Sequence, residues 1–286
     1  MSAVDAMLAP ARPQRAVSTR FMRSELSMVF RRRRNQVVLA VLALVPLLIA
    51  IAVKVSSPHD NNGGPQFFNH ITQNGIFVAF AALTAVLTFF LPLAVSVVAG
   101  DAVAGESHQG TLRYLLTVPV TRTRLLAVKY AGVVAFAFAA TATVAVVGVA
   151  IGLILFPGDT VTLLSGTSVS LTNALGRLVL VVLYITASMA AFAAIGLFVS
   201  TLVEAPVAAI AATAGVAIAS QILDNVPQLH AVGPYLLSHW WTSFGDLLRT
   251  PMETGGVVHG LVVTLVYVVF FCSLAWARFA EKDVSS

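Results

Sequence analysis

Cysteine is nearly absent: the 286 residues contain one, Cys272, inside an apolar run. A lone thiol excludes an internal disulfide framework and the paired cysteines of a zinc or dithiol motif. Charge is scarce too, with Asp, Glu, Lys and Arg making up 10% of the chain, against about 25% in a soluble domain. So few charges cannot cover a water-facing surface. No stretch matches the phosphate loop G-x-x-x-x-G-K-[ST], so the chain lacks the means to hydrolyse ATP by itself. No G-x-S-x-G turn accompanies its serines and histidines either, which disfavours an intramembrane hydrolase.

What remains is mostly apolar, with 58% hydrophobic residues and a mean hydropathy of +0.90. Six stretches reach or approach the roughly 20 apolar residues that cross a hydrocarbon core. They cover about 37–55, 76–99, 131–156, 178–201, 206–223 and 257–280. Lipid offers no partner to an open backbone, so each is expected to be helical. The expected fold is an all-α membrane protein with six transmembrane helices. It forms one membrane domain over 20–286, after a disordered tail over 1–19. Arg31–Arg34 and the Ala50-Ile51-Ala52 triplet imitate a signal peptide, but the lead-in is too long and the run long enough to span.

Orientation follows from lysine and arginine placement. With the amino terminus in the cytoplasm, fourteen of the 17 basic residues lie inside and only Lys54, Arg177 and Arg249 outside. Both ends are then cytoplasmic, and the chain sits in the cytoplasmic (inner) membrane. The net charge of +5 clusters at membrane flanks, which points to the bilayer surface as partner rather than to nucleic acid.

Ahead of the first span, Phe21, Met22, Leu26, Val29 and Phe30 share one helical face opposite Arg20, Arg23 and Ser27. That pattern predicts an amphipathic helix over 20–35 lying in the headgroup plane, with Arg31, Arg32, Arg33 and Arg34 facing anionic lipid. Of the outer connections, 157–176 is expected to dip to the membrane surface. The aromatic segment around Tyr235, Trp240 and Trp241 is expected to form short interfacial or re-entrant helices.

The best-defined polar segment is "AGDAVAGESHQGTLRYLLTVPVTRTRLLAVKY", between the second and third spans. Gly110-Thr111 supplies a break and an N-cap hydroxyl. Leu112, Leu115 and Leu116 line one side of a short helix, which Pro119 ends. Thr121 caps the next helix, which carries Arg122, Arg124 and Lys129 into the membrane. A short apolar-edged helix is thus presented at the cytoplasmic face, suited either to a partner's groove or to turning the chain at the interface.

The segment "GESHQGTLRYLLTVPVTRTRLLAVKY" resembles the cytoplasmic coupling loop of type-2 ATP-binding-cassette (ABC) exporter permeases. The family pattern falls on Asp101, Glu106, Gly110, Thr111, Leu112, Leu115, Leu116, Pro119, Thr121, Arg122 and Lys129. The closing "ARFAEKDV", the six spans and the amphipathic amino-terminal helix agree with it. The resemblance implies a coupling helix between helices 2 and 3, docked on a separate ATPase subunit. It also implies two such subunits per complex, holding ATP and Mg in place of any cofactor on this chain, and a second permease half as homodimer or heterodimer. The amino-terminal helix, with Phe21, Leu26, Phe30 and the four arginines, resembles the family's interfacial connecting helix. The implied activity is export of an apolar or amphipathic substrate, such as a drug, lipid or peptide-like molecule, with no catalysis by this chain.

Two other classes stay in view. One is a membrane assembly or maturation factor of the same fold, because some relatives are associated with copper-enzyme assembly. The other is an intramembrane enzyme, which would act without an ATPase. His59, His70, His230, His239 and His259, near Met252, lack the i, i+4 spacing of a zinc pair, and no metal ligands are assigned. Thr84, Thr88, Tyr184 and Met189 are the candidate substrate-path residues among spans almost free of charge. Gly148 and Gly152 form G-x-x-x-G, read first as packing within the chain, and Ala208, Ala211, Ala212 and Gly215 line the fifth span. Pro46 and Pro92 should bend or unwind their helices.

The topology is testable in intact cells. Cysteines placed at Asn62, Ser165 and Thr254 should react with an impermeant reagent added outside, and one at His108 should not. Labelling at position 108 would reverse the assignment.

Overall fold

The computed structural model describes residues 19–56, 75–110, 121–156, 160–162 and 167–281. Its elements are α1 (Thr19–Arg31), α2 (Arg33–Ser56), α3 (Gly75–Thr88), α4 (Phe90–His108) and α5 (Arg122–Leu155). A hairpin of β1 (Thr160–Thr162) and β2 (Ser168–Ser170) follows, then α6 (Leu171–Leu202), α7 (Pro206–Asp224) and α8 (Gly255–Glu281). Between α7 and α8 lie three 3-10 segments, Pro227–Leu229, Gly233–Tyr235 and Ser238–Leu248. Six helices are long and apolar enough to cross a membrane: α2, α4, α5, α6, α7 and α8. The all-helical, six-span architecture therefore holds, while several boundaries move.

The second expected span is two helices, α3 and α4, parted at Phe89. Pro92 explains the break, because its ring nitrogen cannot donate to the carbonyl of Thr88. That carbonyl accepts instead from the side-chain amide of Gln221 on α7. Pro46, in contrast, sits within a helix that runs on uninterrupted. The 34 residues of α5 reach roughly 51 Å at 1.5 Å each, well beyond a core of about 30 Å. Its first turns, with Arg122 and Lys129, therefore extend past the hydrocarbon.

Helix contacts form where side chains are smallest. A Cβ on Gly148 would lie 2.6 Å from the Ala79 Cα, and Gly152 abuts the Gly75 backbone, so the G-x-x-x-G pair packs α5 on α3 within the chain. A Cβ on Gly100 would lie 2.7 Å from the Ile210 nitrogen of α7, and one on Gly196 2.6 Å from the Ala99 Cβ of α4. On α7 the seam is Ala209, Thr213 and Ala217, whereas Ala208, Ala211, Ala212 and Gly215 face outward. Phe136, Phe192, Met189, Leu83 and Leu87 fill the core between these helices.

At the far end from α1, the 157–176 connection contributes β1 and β2, paired antiparallel with Val161 opposite Val169. The aromatic segment forms 3-10 turns packed on the protein: Leu237, Trp241, Phe244, Leu247 and Leu248 are buried and Tyr235 stays exposed. Arg177 holds it from α6, donating to the carbonyls of Leu247 (2.7 Å) and Arg249 (2.8 Å) and to the Asn173 side chain (2.9 Å). Tyr184 donates to the Trp240 carbonyl at 2.6 Å. His239 meets Asp224 at 2.7 Å, and Trp240 stacks on His259.

Gly148→Val should destabilise the protein by roughly 1–3 kcal/mol, since it overpacks a close helix contact. Gly176→Ala, with nothing within 4 Å of the new Cβ, should instead hold or raise stability, by up to roughly 1 kcal/mol, as alanine favours a helix over glycine. Thermal unfolding in detergent checks both, and equal melting of the two variants would refute the close contact.

Candidate functional site

The polar segment expected to dock a partner starts from a charged collar, and the parts of that collar come from four helices. α1 is amphipathic, and its inward face carries Glu25 and Val29, both buried. Phe21 packs near Val103, Leu125 and Leu126, and the Phe30 ring lies 6.4 Å from that of Phe136. The apolar face expected to enter the headgroup layer is therefore turned onto the protein, with Leu26 half-buried. Arg20, Arg23 and Arg31 are exposed on the opposite face. α1 also ends at Arg31 rather than near residue 35. Asn35 and Gln36 reach back to the carbonyls of Val29 (2.8 Å) and Phe30 (3.1 Å), satisfying acceptors left open at its end.

Lys129, on the first turns of α5, is 4% exposed and lies between two carboxylates. Its ammonium is 3.0 and 3.2 Å from the oxygens of Glu25 on α1, and it also bonds Glu106 near the end of α4. Five residues before Glu106, Asp101 accepts from Arg34 at 3.0 Å and also from Arg32. A Cβ at Gly105 would lie 2.5 Å from the Asp101 carboxylate, so the glycine leaves room for that pair. Three acids thus face three bases where α1, α2, α4 and α5 meet. Removing charges from water costs several kcal/mol each unless they are paired, and here every one has a partner.

The collar continues on two sides. Ser200 of α6 donates to the Gly100 carbonyl at 2.7 Å and accepts from the amides of Val103 (3.1 Å) and Ala104 (2.9 Å). The hydroxyl thus braces the α4 backbone on both sides of Asp101, in the turn before Glu106. Arg122, at the start of α5, donates to the carbonyls of Ala280 (2.6 Å) and Phe279 (3.2 Å) at the end of α8. Trp276 reaches Thr123 at 2.9 Å. Thr121 caps α5 as its sequence predicts, accepting from the Arg124 amide at 3.4 Å.

Of the expected docking residues, Asp101, Glu106 and Lys129 come together, and Arg122 stands apart against α8. Gly110 follows α4 with a φ of 67°, a left-handed value natural to glycine. Thr111, Leu112, Leu115, Leu116 and Pro119 lie outside the described residues. Glu25, Asn35 and Ser200 were not expected. Glu25 had a legible signal, an acid on the apolar side of the α1 wheel, whereas Ser200 had none.

The candidate path residues do not converge. Tyr184 and Met189 are buried in the core, and Tyr184 is engaged by the 3-10 segment. Thr84 and Thr88 are exposed on α3 and bond back to their own helix, at 2.9 and 3.1 Å. A separate apolar groove of about 520 Å³ opens between α5 and α6, walled by Phe138, Val146, Val149, Leu178, Val182 and Leu183. Among the described residues no three His, Cys, Asp or Glu side chains gather as metal ligands would.

Lys129→Met should destabilise the protein by about 3–5 kcal/mol, because it leaves two buried carboxylates without their cation. Adding Glu25→Gln and Glu106→Gln should recover much of that loss. Thermal unfolding of the single and triple variants checks this, and an unchanged melting point for Lys129→Met would contradict the collar.

Comparison with known proteins gives a short match and a long one. Over 52 residues the chain is 46% identical to a probable ABC transporter permease protein, NosY, of Pseudomonas aeruginosa, a match covering 18% of this chain and 19% of the relative. The aligned part thus spans about a fifth of that relative's length. A family match covers residues 47–285, five of the six span helices entirely and the end of α2. On that coverage the chain belongs to the DUF2705 family, described as proteins of unknown function.

Proposed function

We propose that this multi-pass membrane protein is the transmembrane subunit of an ATP-binding-cassette exporter. A separate ATPase docks on the 101–130 loop and supplies the ATP chemistry that this chain lacks. The observation that carries the reading is the collar under that loop. Lys129 ties α1 to the end of α4 and the start of α5, the two helices from which the loop springs. A push on the loop therefore moves three elements together, because separating any of them strands a buried charge. The partial likeness to a probable ABC permease supports the same assignment.

In this reading Leu112, Leu115 and Leu116 enter a groove on the ATPase, and Glu106 and Lys129 transmit the displacement. Arg122 links the loop's exit to the end of α8. Two ATPase subunits and a second permease half complete the transporter, with both chain ends in the cytoplasm. The substrate class is apolar or amphipathic: the α5–α6 groove is walled by carbon, and among the described residues the span interiors carry no unpaired acid for an ion relay.

Replacing Leu115 and Leu116 with aspartate should abolish copurification of the ATPase while the chain still inserts. Burial of each leucine is worth roughly 1.5–3 kcal/mol, and the new charges must also be desolvated. Arg122→Ala should leave the ATPase bound but poorly stimulated by substrate. Normal docking and transport by the double aspartate variant would overturn the proposal.

A further inference from the structure

The four consecutive arginines at the α1–α2 junction do not act alike. Arg32 and Arg34 are committed to Asp101. Arg31 and Arg33 are exposed and make no ion pair among the described residues. Arg33 opens α2, and on its side of that helix come Val37, Val41, Leu44 and Leu48, at steps of four, four, three and four residues. These four are 61%, 45%, 51% and 64% exposed. Helical geometry places them in one stripe beneath Arg33. From Val37 to Leu48 the stripe runs roughly 16 Å at 1.5 Å per residue, close to one leaflet of a hydrocarbon core about 30 Å thick.

We infer that this surface binds one anionic phospholipid, its phosphate on Arg31 and Arg33 and an acyl chain along Val37–Leu48. Guanidinium groups match phosphate oxygens in paired, charge-assisted hydrogen bonds. One turn separates Arg33 from Val37, so the long side chain reaches the phosphate layer while its stem stays against the chain. Two uncompensated positive charges favour a lipid with net negative charge over a zwitterion, whose ammonium they repel. An acidic protein segment could answer the arginines but not an apolar stripe one leaflet deep. A second copy could cover the stripe but would bring its own arginines against these.

The test uses the full chain reconstituted in vesicles of phosphatidylcholine with a minority of phosphatidylglycerol. The protein is then extracted in mild detergent, and mass spectrometry counts the lipids retained. Phosphatidylglycerol should be retained above its share of the vesicle. Arg31→Gln with Arg33→Gln should lower that enrichment by roughly fivefold per arginine, the worth of one basic side chain at an anionic surface. Arg31→Lys with Arg33→Lys should keep most of it, and Arg278→Gln, at the exposed end of α8, should change nothing. Inorganic phosphate should not displace the lipid, because the stripe contributes to binding. Four outcomes overturn the inference: no enrichment, enrichment unaffected by the double glutamine variant, equal loss in Arg278→Gln, or displacement by inorganic phosphate. Crosslinking between copies through Val41→Cys, with Cys272→Ala, would also overturn it by assigning the stripe to a protein contact.

Discussion

Lys129 is shared by two carboxylates from different helices, and the arrangement of the loop-bearing end rests on that sharing. One ammonium bonds both Glu25 from α1 and Glu106 from α4, and all three side chains are buried. An ion pair with water access contributes little and tolerates separation. A buried one holds its elements together because drawing them apart exposes each charge to an apolar medium. Among the described residues Glu25–Lys129 is the ion pair that joins α1 to α5, beside the packing of Phe21 and Phe30. The Asp101 pairs with Arg32 and Arg34 lie nearer to solvent on the arginine side and add ties at the α1–α2 junction.

The two ends of the bundle use different physics. At the collar, side-chain charges meet side-chain charges. At the opposite end, Arg177 and Tyr184 of α6 grasp backbone carbonyls of the 3-10 segment. Carbonyls left open by irregular backbone need donors once buried, and a guanidinium supplies several from one side chain. Trp241 adds packing against Phe192, their ring centroids 6.1 Å apart. Between these ends the helices approach through glycine and alanine, where close backbone contact replaces polar bonding.

α4 joins these regions. Pro92 separates it from α3, with Gln221 answering the stranded Thr88 carbonyl, and Ser200 intrudes beside its backbone at Gly100–Ala104. Both sites are bonded from neighbouring helices, Thr88 from α7 and Gly100–Ala104 from α6. Asp101 lies within the Ser200 contact and Glu106 just beyond it, at the loop-bearing end of α4.

The sequence by itself determined the helical class and the six apolar spans, because lipid leaves the backbone no other way to pair. It marked the polar break between the second and third spans, and it set the Thr121 cap, which needs only a hydroxyl at the right step. The amphipathic pattern of α1 was equally legible, since periodicity is local. Which way that pattern faces was not: the wheel shows an apolar side, but only packing against α5 turned it from lipid to protein. Glu25 met Lys129 across 104 residues, Ser200 met Gly100 across 100, and Arg177 met Leu247 across 70. No spacing rule reaches that far. The division of four identical arginines into two bound and two open depended on where Asp101 came to lie, and only the tertiary fold brought α4 against the α1–α2 junction.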